Sequence, residues 1–172
     1  MRSESLSKRI FLISTVVVPF LAYSIYYYAG VFKNAPYKFS EFESMSIQYG
    51  PGADSLVNKY YSKTGEYQYV DMRDSIIKMN LHLPKEELLY LHRKAADLGF
   101  WNFPNVEIGD TTMRRNGMRP LRYVIEFKYK RKTKKVIYDE SFNGDIRLKD
   151  ANQRLIKEIK LVLAKEEGKE KN

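Results

Sequence analysis

The first pattern along the chain is a run of 23 residues without a charge, residues 10–32, close to the N-terminus. Arg2, Lys8 and Arg9 precede this run. About 20 apolar residues are enough for a helix to cross a bilayer. Because lipid offers the backbone no hydrogen-bond partners, such a segment must be helical. The sequence therefore predicts a transmembrane anchor that binds the lipid bilayer through residues 10–32.

A cleaved signal peptide and a buried helix of a globular domain are the alternatives for this run. Signal cleavage requires a shorter apolar core followed by small residues. Ala22-Tyr23-Ser24 fits that site loosely, but the apolar run continues beyond it. Three Lys or Arg residues precede the run, whereas Lys33 and Lys38 follow it. A cytoplasmic excess of these residues predicts that residues 1–9 are cytoplasmic and that the C-terminal domain lies outside.

After a predicted tether, residues 33–41, the chain alternates apolar and polar residues with the period of β-strands. The alternating or extended segments are residues 45–49, 55–62, 67–69 and 77–83. Turn residues such as Gly50-Pro51-Gly52 and Thr64-Gly65 separate them. Consecutive short strands joined by turns predict an antiparallel meander of about four strands.

The clearest helical pattern begins at Pro84 and ends at Gly99. Proline suits the first turn of a helix, and glycine suits the residue that follows its end. The predicted buried stripe consists of Leu88, Leu91, Ala95 and Leu98. Phe100, Trp101 and Phe103 follow directly, and we expect them to fill the seam between helix and sheet rather than form a ligand-stacking platform.

A predicted loop, residues 105–118, leads into the longest alternation of the chain. Residues 121–130 alternate strictly, and a turn near Lys132-Thr133 connects them to the apolar positions of residues 136–138. Two alternating segments joined by a short turn predict a long β-hairpin.

Apolar residues at helical spacing between positions 148 and 163 predict a last helix, followed by a charged tail, residues 165–172. The expected fold class is α+β. In this arrangement residues 42–164 form an antiparallel sheet with two helices packed on one face.

Composition narrows the classes of function. The 172-residue chain has a formal net charge of +9, two His and no Cys, so this chain offers no disulfide, zinc–thiolate site, iron–sulfur cluster or catalytic thiol. It contains no H-E-x-x-H or G-x-S-x-G motif, and Gly50-Pro51-Gly52 lacks the lysine of a phosphate loop. His82 and His92 fall on different predicted elements and do not indicate a metal site. We therefore predict no catalytic, cofactor-binding or metal-binding residues.

One strongly basic region overlaps the predicted hairpin. Residues 114–135 contain ten Lys or Arg residues, and only Glu126 opposes them. Alternate strand residues share a face, so Arg122, Lys128 and Lys130 are expected to converge. The candidate anion-binding or partner-binding residues are Arg114, Arg115, Arg122, Lys128, Lys130, Arg131, Lys132, Lys134 and Lys135. The alternative is that these lysines only protect strand edges from aggregation.

A basic hairpin suits three kinds of partner: anionic lipid headgroups, an acidic glycan or an acidic protein. Nucleic acid would also suit ten positive charges with interleaved tyrosines. Tyr123, Tyr129 and Tyr138 lie on the apolar phase of the strands, however, where we expect them in the core. The predicted outward topology also separates the domain from nucleic acid.

Three segments carry a resemblance: residues 61–67 (YSKTGEY), 83–88 (LPKEEL) and 98–104 (LGFWNFP). They are similar to small uncharacterised envelope proteins of the Bacteroidota type, in which a sheet meander leads to a helix with a Leu-Gly-Phe-aromatic corner. Such families often carry paired cysteines after the first strand, and this chain has none. The resemblance covers about half of the domain. It implies an exported, membrane-associated domain and transfers no active site.

We expect a single-pass protein of the cell envelope whose extracytoplasmic, periplasmic domain binds or scaffolds rather than catalyses. Two alternatives stay open. The first is a hydrolase-like envelope enzyme with a site near residues 105–118, which a convergence of Asp110, His92 and Arg114 would support. The second is a basic regulatory module that faces the cytoplasm.

Overall fold

The computed structural model describes residues 2–34, 37–52, 55–109 and 119–170 of the chain. The chain divides into two units, Met1–Tyr37 and Lys38–Asn172. Helix α1 (Arg2–Asn34) makes up most of the first unit. Its window Phe11–Tyr28 is long and apolar enough to cross a membrane, and none of that window is buried inside the protein. This agrees with a single-pass membrane protein.

The second unit is an α+β domain, which confirms the predicted fold class. Its described residues form a seven-stranded sheet in the order β4-β3-β2-β1-β6-β7-β5. The strands are β1 (Phe42–Pro51), β2 (Asn58–Tyr61), β3 (Glu66–Val70), β4 (Ile76–Asn80), β5 (Val106–Glu107), β6 (Leu121–Tyr129) and β7 (Thr133–Asp139). The helices are α2 (Lys85–Asp97) and α3 (Ile146–Glu170), with short 3-10 turns at Phe39–Glu41 and Phe100–Asn102.

The order of the strands confirms both the meander and the hairpin. Strands β1 to β4 pair antiparallel with their neighbours in sequence, and β6 pairs antiparallel with β7. Strand β1 pairs along its length with β6 and joins the two halves of the sheet. Strand β5 lies in a segment predicted to be a loop, and it pairs parallel with β7. Two residues are too few to show a period, so only the partner strand defines β5.

Local signals set the ends of both helices. Helix α2 begins after Pro84 and is followed by Gly99 at φ +76°, in the left-handed region that favours glycine. Helix α3 begins after Asp145, whose side-chain oxygen accepts a hydrogen bond from the backbone N–H of Arg147 (2.9 Å). The helix continues to Glu170, so most of the predicted charged tail is helical.

The core lies between one face of the sheet and the two helices. Fully buried members of this core include Ile47, Tyr60, Ile125, Phe127, Leu91, Leu155 and Ile159. The rings of Phe100 and Phe127 are 5.5 Å apart, and Trp101 contacts Phe127 edge-on at 5.4 Å. The expected packing of this aromatic group against the sheet is therefore confirmed. The opposite face carries a polar row across four strands, Gln48, Lys59, Gln68 and Lys78.

Candidate functional site

The structure separates the cations of the basic hairpin by face. Lys128 and Lys135 are exposed on the sheet face opposite the helices, and Lys130 is exposed in the β6–β7 turn. Lys134 pairs in register with Phe127 and lies on the helix-covered face, where it is only 7% exposed. The members of the predicted set that the structure describes therefore do not all lie on one face of the sheet.

Arg122 forms a buried ion pair rather than an exposed anion site. Its Nε and Nη2 atoms donate hydrogen bonds of 2.6 and 2.8 Å to the two carboxylate oxygens of Asp139. The side chains of Arg122 and Asp139 are 14% and 3% exposed. This two-pronged geometry joins β6 to β7 at cross-strand partners.

Lys134 is also engaged inside the domain. Its Nζ donates hydrogen bonds to the backbone oxygen of Phe103 and to Oδ1 of Asn105, the latter at 3.0 Å. Burial lowers the pKa of Lys134, and the nearby Glu107 carboxylate partly opposes that shift. The sequence does indicate that Lys134 is buried. Alternate residues of a strand share a face, so Lys134 lies on the same face as the apolar positions Val136 and Tyr138.

The remaining cations gather where the β6–β7 turn meets the start of the domain. The backbone N–H of Lys130 donates to the backbone oxygen of Glu41 (2.9 Å), and Arg131 Nε donates to Glu41 Oε2 (3.1 Å). The Arg131 guanidinium and the charges of Lys38 and Lys130 lower the pKa of Glu41. We call the group Lys38, Lys130, Arg131 and Lys132, arranged around Glu41, the basic end.

Three residues named from the sequence lie outside the described residues: Asp110, Arg114 and Arg115. Their part in an anion site, or in an enzyme site with His92, stays a prediction.

His92 belongs to an aromatic cluster. Its Nδ1 is 2.7 Å from the hydroxyl oxygen of Tyr129, and its ring lies 5.5 Å from the rings of Trp101 and Phe39. Burial, followed by the charge of Arg93, lowers the pKa of His92. Tyr129 is the last residue of β6. It lies about 26 Å along the strand from Leu121, the first residue of β6. Leu121 follows residues 110–118 closely in the chain.

A cleft that the sequence analysis missed lies between α3 and the β6–β7 side of the sheet. Its volume is about 560 Å³. The polar residues that line it are Tyr123, Tyr138, Glu140, Gln153, Lys157 and Lys160. Ile156, Leu161 and Ala164 supply its apolar wall. The sequence did contain a signal for this cleft. Tyr123 and Tyr138 fall at apolar positions of their strands, where a buried phenol oxygen requires a polar neighbour.

A chain of hydrogen bonds crosses this cleft. Lys160 Nζ donates to the hydroxyl oxygen of Tyr123 (3.2 Å), which donates to Glu140 Oε1 (3.1 Å). The same ammonium lies 4.2 Å from the ring centroid of Tyr49 and 4.9 Å from that of Tyr123. Burial lowers the pKa of Lys160 and raises that of Tyr123, which the Glu140 carboxylate raises further.

The phenol of Tyr138 differs from that of Tyr123. Tyr138 is 0% exposed, and a hydrogen bond with the Gln153 side chain opposes the rise that burial gives to its pKa. Burial raises the pKa of Tyr138 to about 12, so this hydroxyl is protonated at neutral pH.

Among the described residues, no group of three or more His, Asp or Glu side chains is arranged to hold a metal ion. Comparisons with protein-family models, curated proteins and solved structures find no match to this chain. The resemblance to envelope proteins of the Bacteroidota type stays a prediction.

Proposed function

We propose that this protein is a membrane-anchored, non-catalytic binding protein of the cell envelope, and that its basic end binds anionic lipid headgroups. The observation that carries the proposal is the attachment of the β6–β7 turn to Glu41. That attachment uses both the backbone of Lys130 and the side chain of Arg131.

Chain length favours lipid over the other anionic partners. Seven residues lead from Asn34, the last residue of α1, to Glu41. Fully extended, that many residues span at most about 25 Å. If α1 crosses a bilayer, chain connectivity keeps Glu41 near the headgroup layer of that bilayer. A glycan or an acidic protein would have to reach the same place by diffusion.

The charges are sufficient for a weak, reversible contact. Arg131 already pairs with Glu41, and the positive charges beside that pair include those of Lys38 and Lys130. A basic residue near an anionic membrane surface contributes about 1 kcal/mol, so these two contribute roughly 2 kcal/mol. This contact orients a domain that is already anchored, and it need not hold the protein on the membrane by itself.

The test uses the full chain in lipid nanodiscs, made either of phosphatidylcholine or of phosphatidylcholine mixed with phosphatidylglycerol. Hydrogen exchange of the amides of residues 128–133 is measured in both. We expect slower exchange in the anionic discs, and we expect high salt to abolish the difference because it screens surface charge. Replacement of Lys38, Lys130 and Lys132 by Glu should also abolish it. Equal exchange in the two lipids would overturn the proposal and favour a glycan or an acidic protein.

A matched control carries the same change in net charge elsewhere on the domain. Lys63, Lys78 and Lys85 are exposed and lie far along the chain from Glu41. Their replacement by Glu should leave the lipid-dependent protection in place. If it abolishes the protection as well, overall charge rather than the basic end is responsible.

Orientation is tested separately. The excess of Lys and Arg before the anchor supports an extracytoplasmic domain. Protease added to intact spheroplasts should then digest the domain and leave a membrane-bound remnant that contains residues 26–28. Protection until lysis would show that the domain faces the cytoplasm, where the basic end would meet inner-leaflet lipid or nucleic acid.

A further inference from the structure

We propose that Asn143, in the loop between β7 and α3, is a site of spontaneous covalent modification, at which the folded domain loses ammonia and the asparagine becomes an aspartyl or isoaspartyl residue. Asn143 is followed directly by Gly144, and both residues are exposed. Asparagine is among the thermolabile residues of proteins, and this loop offers it a nitrogen with which to react.

The chemistry is an attack within the chain. The backbone nitrogen of Gly144 loses its proton and forms a bond to the side-chain carbonyl carbon of Asn143. The bond from that carbon to the amide nitrogen breaks, so ammonia leaves with the proton and a cyclic imide remains. Water then opens the imide at either of its carbonyl carbons. One opening gives a normal aspartyl link, and the other gives an isoaspartyl link that runs through the side chain.

The nitrogen that must attack is free in this loop. The N–H of Gly144 and the side-chain amide of Asn143 make no hydrogen bond within the part of the chain that the structure describes. Because both groups are also exposed, they can approach each other without first breaking an interaction of the fold.

Two other exposed asparagines lack this freedom. The N–H that follows Asn80 belongs to Leu81 and donates to the backbone oxygen of Gly65 (2.7 Å). The N–H that follows Asn102 belongs to Phe103 and donates to a backbone oxygen 3.2 Å away. In both places the nitrogen must first leave its hydrogen bond, and the side chain of the second residue crowds the approach. These asparagines are therefore internal controls.

The glycine after Asn143 has a structural reason. A Cβ atom at position 144 would collide with the ring of Phe142, which packs against Gly144. The Phe142 ring in turn contacts the ring of Tyr138 edge-on, with 6.3 Å between the ring centroids. This packing favours glycine, and the same lack of a side chain leaves the backbone nitrogen accessible.

The modification changes the start of α3. It adds a negative charge two residues before Asp145, whose side chain accepts a hydrogen bond from the N–H of Arg147. Because the N-terminus of a helix favours negative charge, we expect the aspartyl product to keep the fold. The isoaspartyl product lengthens the main chain at an exposed position. The loop lies at the opposite end of the hairpin from Lys130, so this proposal does not depend on the lipid contact.

The experiment is peptide mapping by mass spectrometry of the full chain, incubated in detergent in a mildly alkaline buffer. We expect the peptide that contains Asn143 to convert with time into two products of equal mass, in which an acid has replaced the amide. The peptides that contain Asn80 and Asn102 should convert at least about tenfold more slowly. Equal rates at Asn143 and Asn102 would overturn the proposal. Asn116, also followed by glycine, lies outside the described residues and falls in a different tryptic peptide.

A synthetic peptide of residues 139–147 separates the effect of the fold from that of the local sequence. Asn143 in the folded domain should convert within about tenfold of its rate in this peptide, because no hydrogen bond has to open first. A larger reduction in the folded domain would show that the fold protects the nitrogen, and this would contradict the proposal.

Two variants locate the reaction. Asn143→Gln should abolish both products, because the longer side chain closes a larger ring much more slowly, and its melting temperature should stay within about 2 °C of the original. Asn102→Gln is the matched control and should leave the conversion of Asn143 unchanged. The same two products in Asn143→Gln would assign the reaction to another residue and overturn the proposal.

Discussion

Replacing Arg122 by methionine would test whether this residue belongs to the fold or to an anion site. The change removes the partner of Asp139, which is 3% exposed, and leaves a buried carboxylate without its counter-ion. Methionine retains much of the length of the arginine side chain, so packing changes little. We therefore expect a large loss of stability that originates in the carboxylate.

Two routes to the magnitude agree. Breaking a buried ion pair by removing one partner costs about 3–5 kcal/mol. The two hydrogen bonds of 2.6 and 2.8 Å, at roughly 1.5–3 kcal/mol each for charged groups, give a similar range. Arg122 is 14% exposed, so some water reaches the pair and the lower end applies. A loss of about 3 kcal/mol corresponds to a factor of roughly 150 in the folding equilibrium.

The assay is urea denaturation of the second unit, Lys38–Asn172, followed by circular dichroism. The double variant Arg122→Met/Asp139→Leu removes both charges and should recover most of the lost free energy of unfolding. A loss below about 1 kcal/mol in Arg122→Met would refute the reasoning, since it would show that Asp139 remains hydrated. Arg122 would then return to the set of residues available to an anionic partner.

Three further predictions concern groups that lie inside the domain. Lys134→Glu should lower the free energy of unfolding, measured in urea, by at least about 3 kcal/mol, because it places a carboxylate against the Phe103 carbonyl. The control Lys135→Glu, at an exposed position, should lower it by less than about 1 kcal/mol. Equal losses would contradict the burial of Lys134. Burial raises the pKa of Glu107, so its contribution to stability is present below the unfolded pKa and is lost as pH rises through the folded pKa. Glu107→Gln should therefore raise the melting temperature at pH 7 more than at pH 4, and an equal shift at both would count against a buried carboxyl. Burial lowers the pKa of His92. Its contribution to the stability of the fold is therefore present above the pKa of the unfolded chain, about 6.5, and is lost as pH falls through the pKa of the folded state. His92→Phe should remove this fall in melting temperature at acid pH. If the fall is unchanged in the variant, another group causes it.

Most of the secondary structure follows from local sequence signals. The charge-free run defines α1, since a charge within the apolar core of a bilayer is costly and its absence over 23 residues is informative. Strict alternation predicts β6, and Pro84 and Gly99 bracket α2, because each of these signals acts within a few residues. The α+β class followed from the same local signals.

The residues that form the basic end and the cleft could be grouped only from the tertiary structure. Charge counting along the hairpin grouped Arg122 and Lys134 with the exposed lysines, although one pairs with Asp139 and the other bonds to Phe103, 31 residues earlier. The basic end exists because the β6–β7 turn meets Glu41, 90 residues from Arg131. The sequence by itself determined which segments are apolar, extended or helical. Only the packing decided which charges face solvent and which polar atoms line a cleft, because those outcomes depend on partners that are distant in the chain.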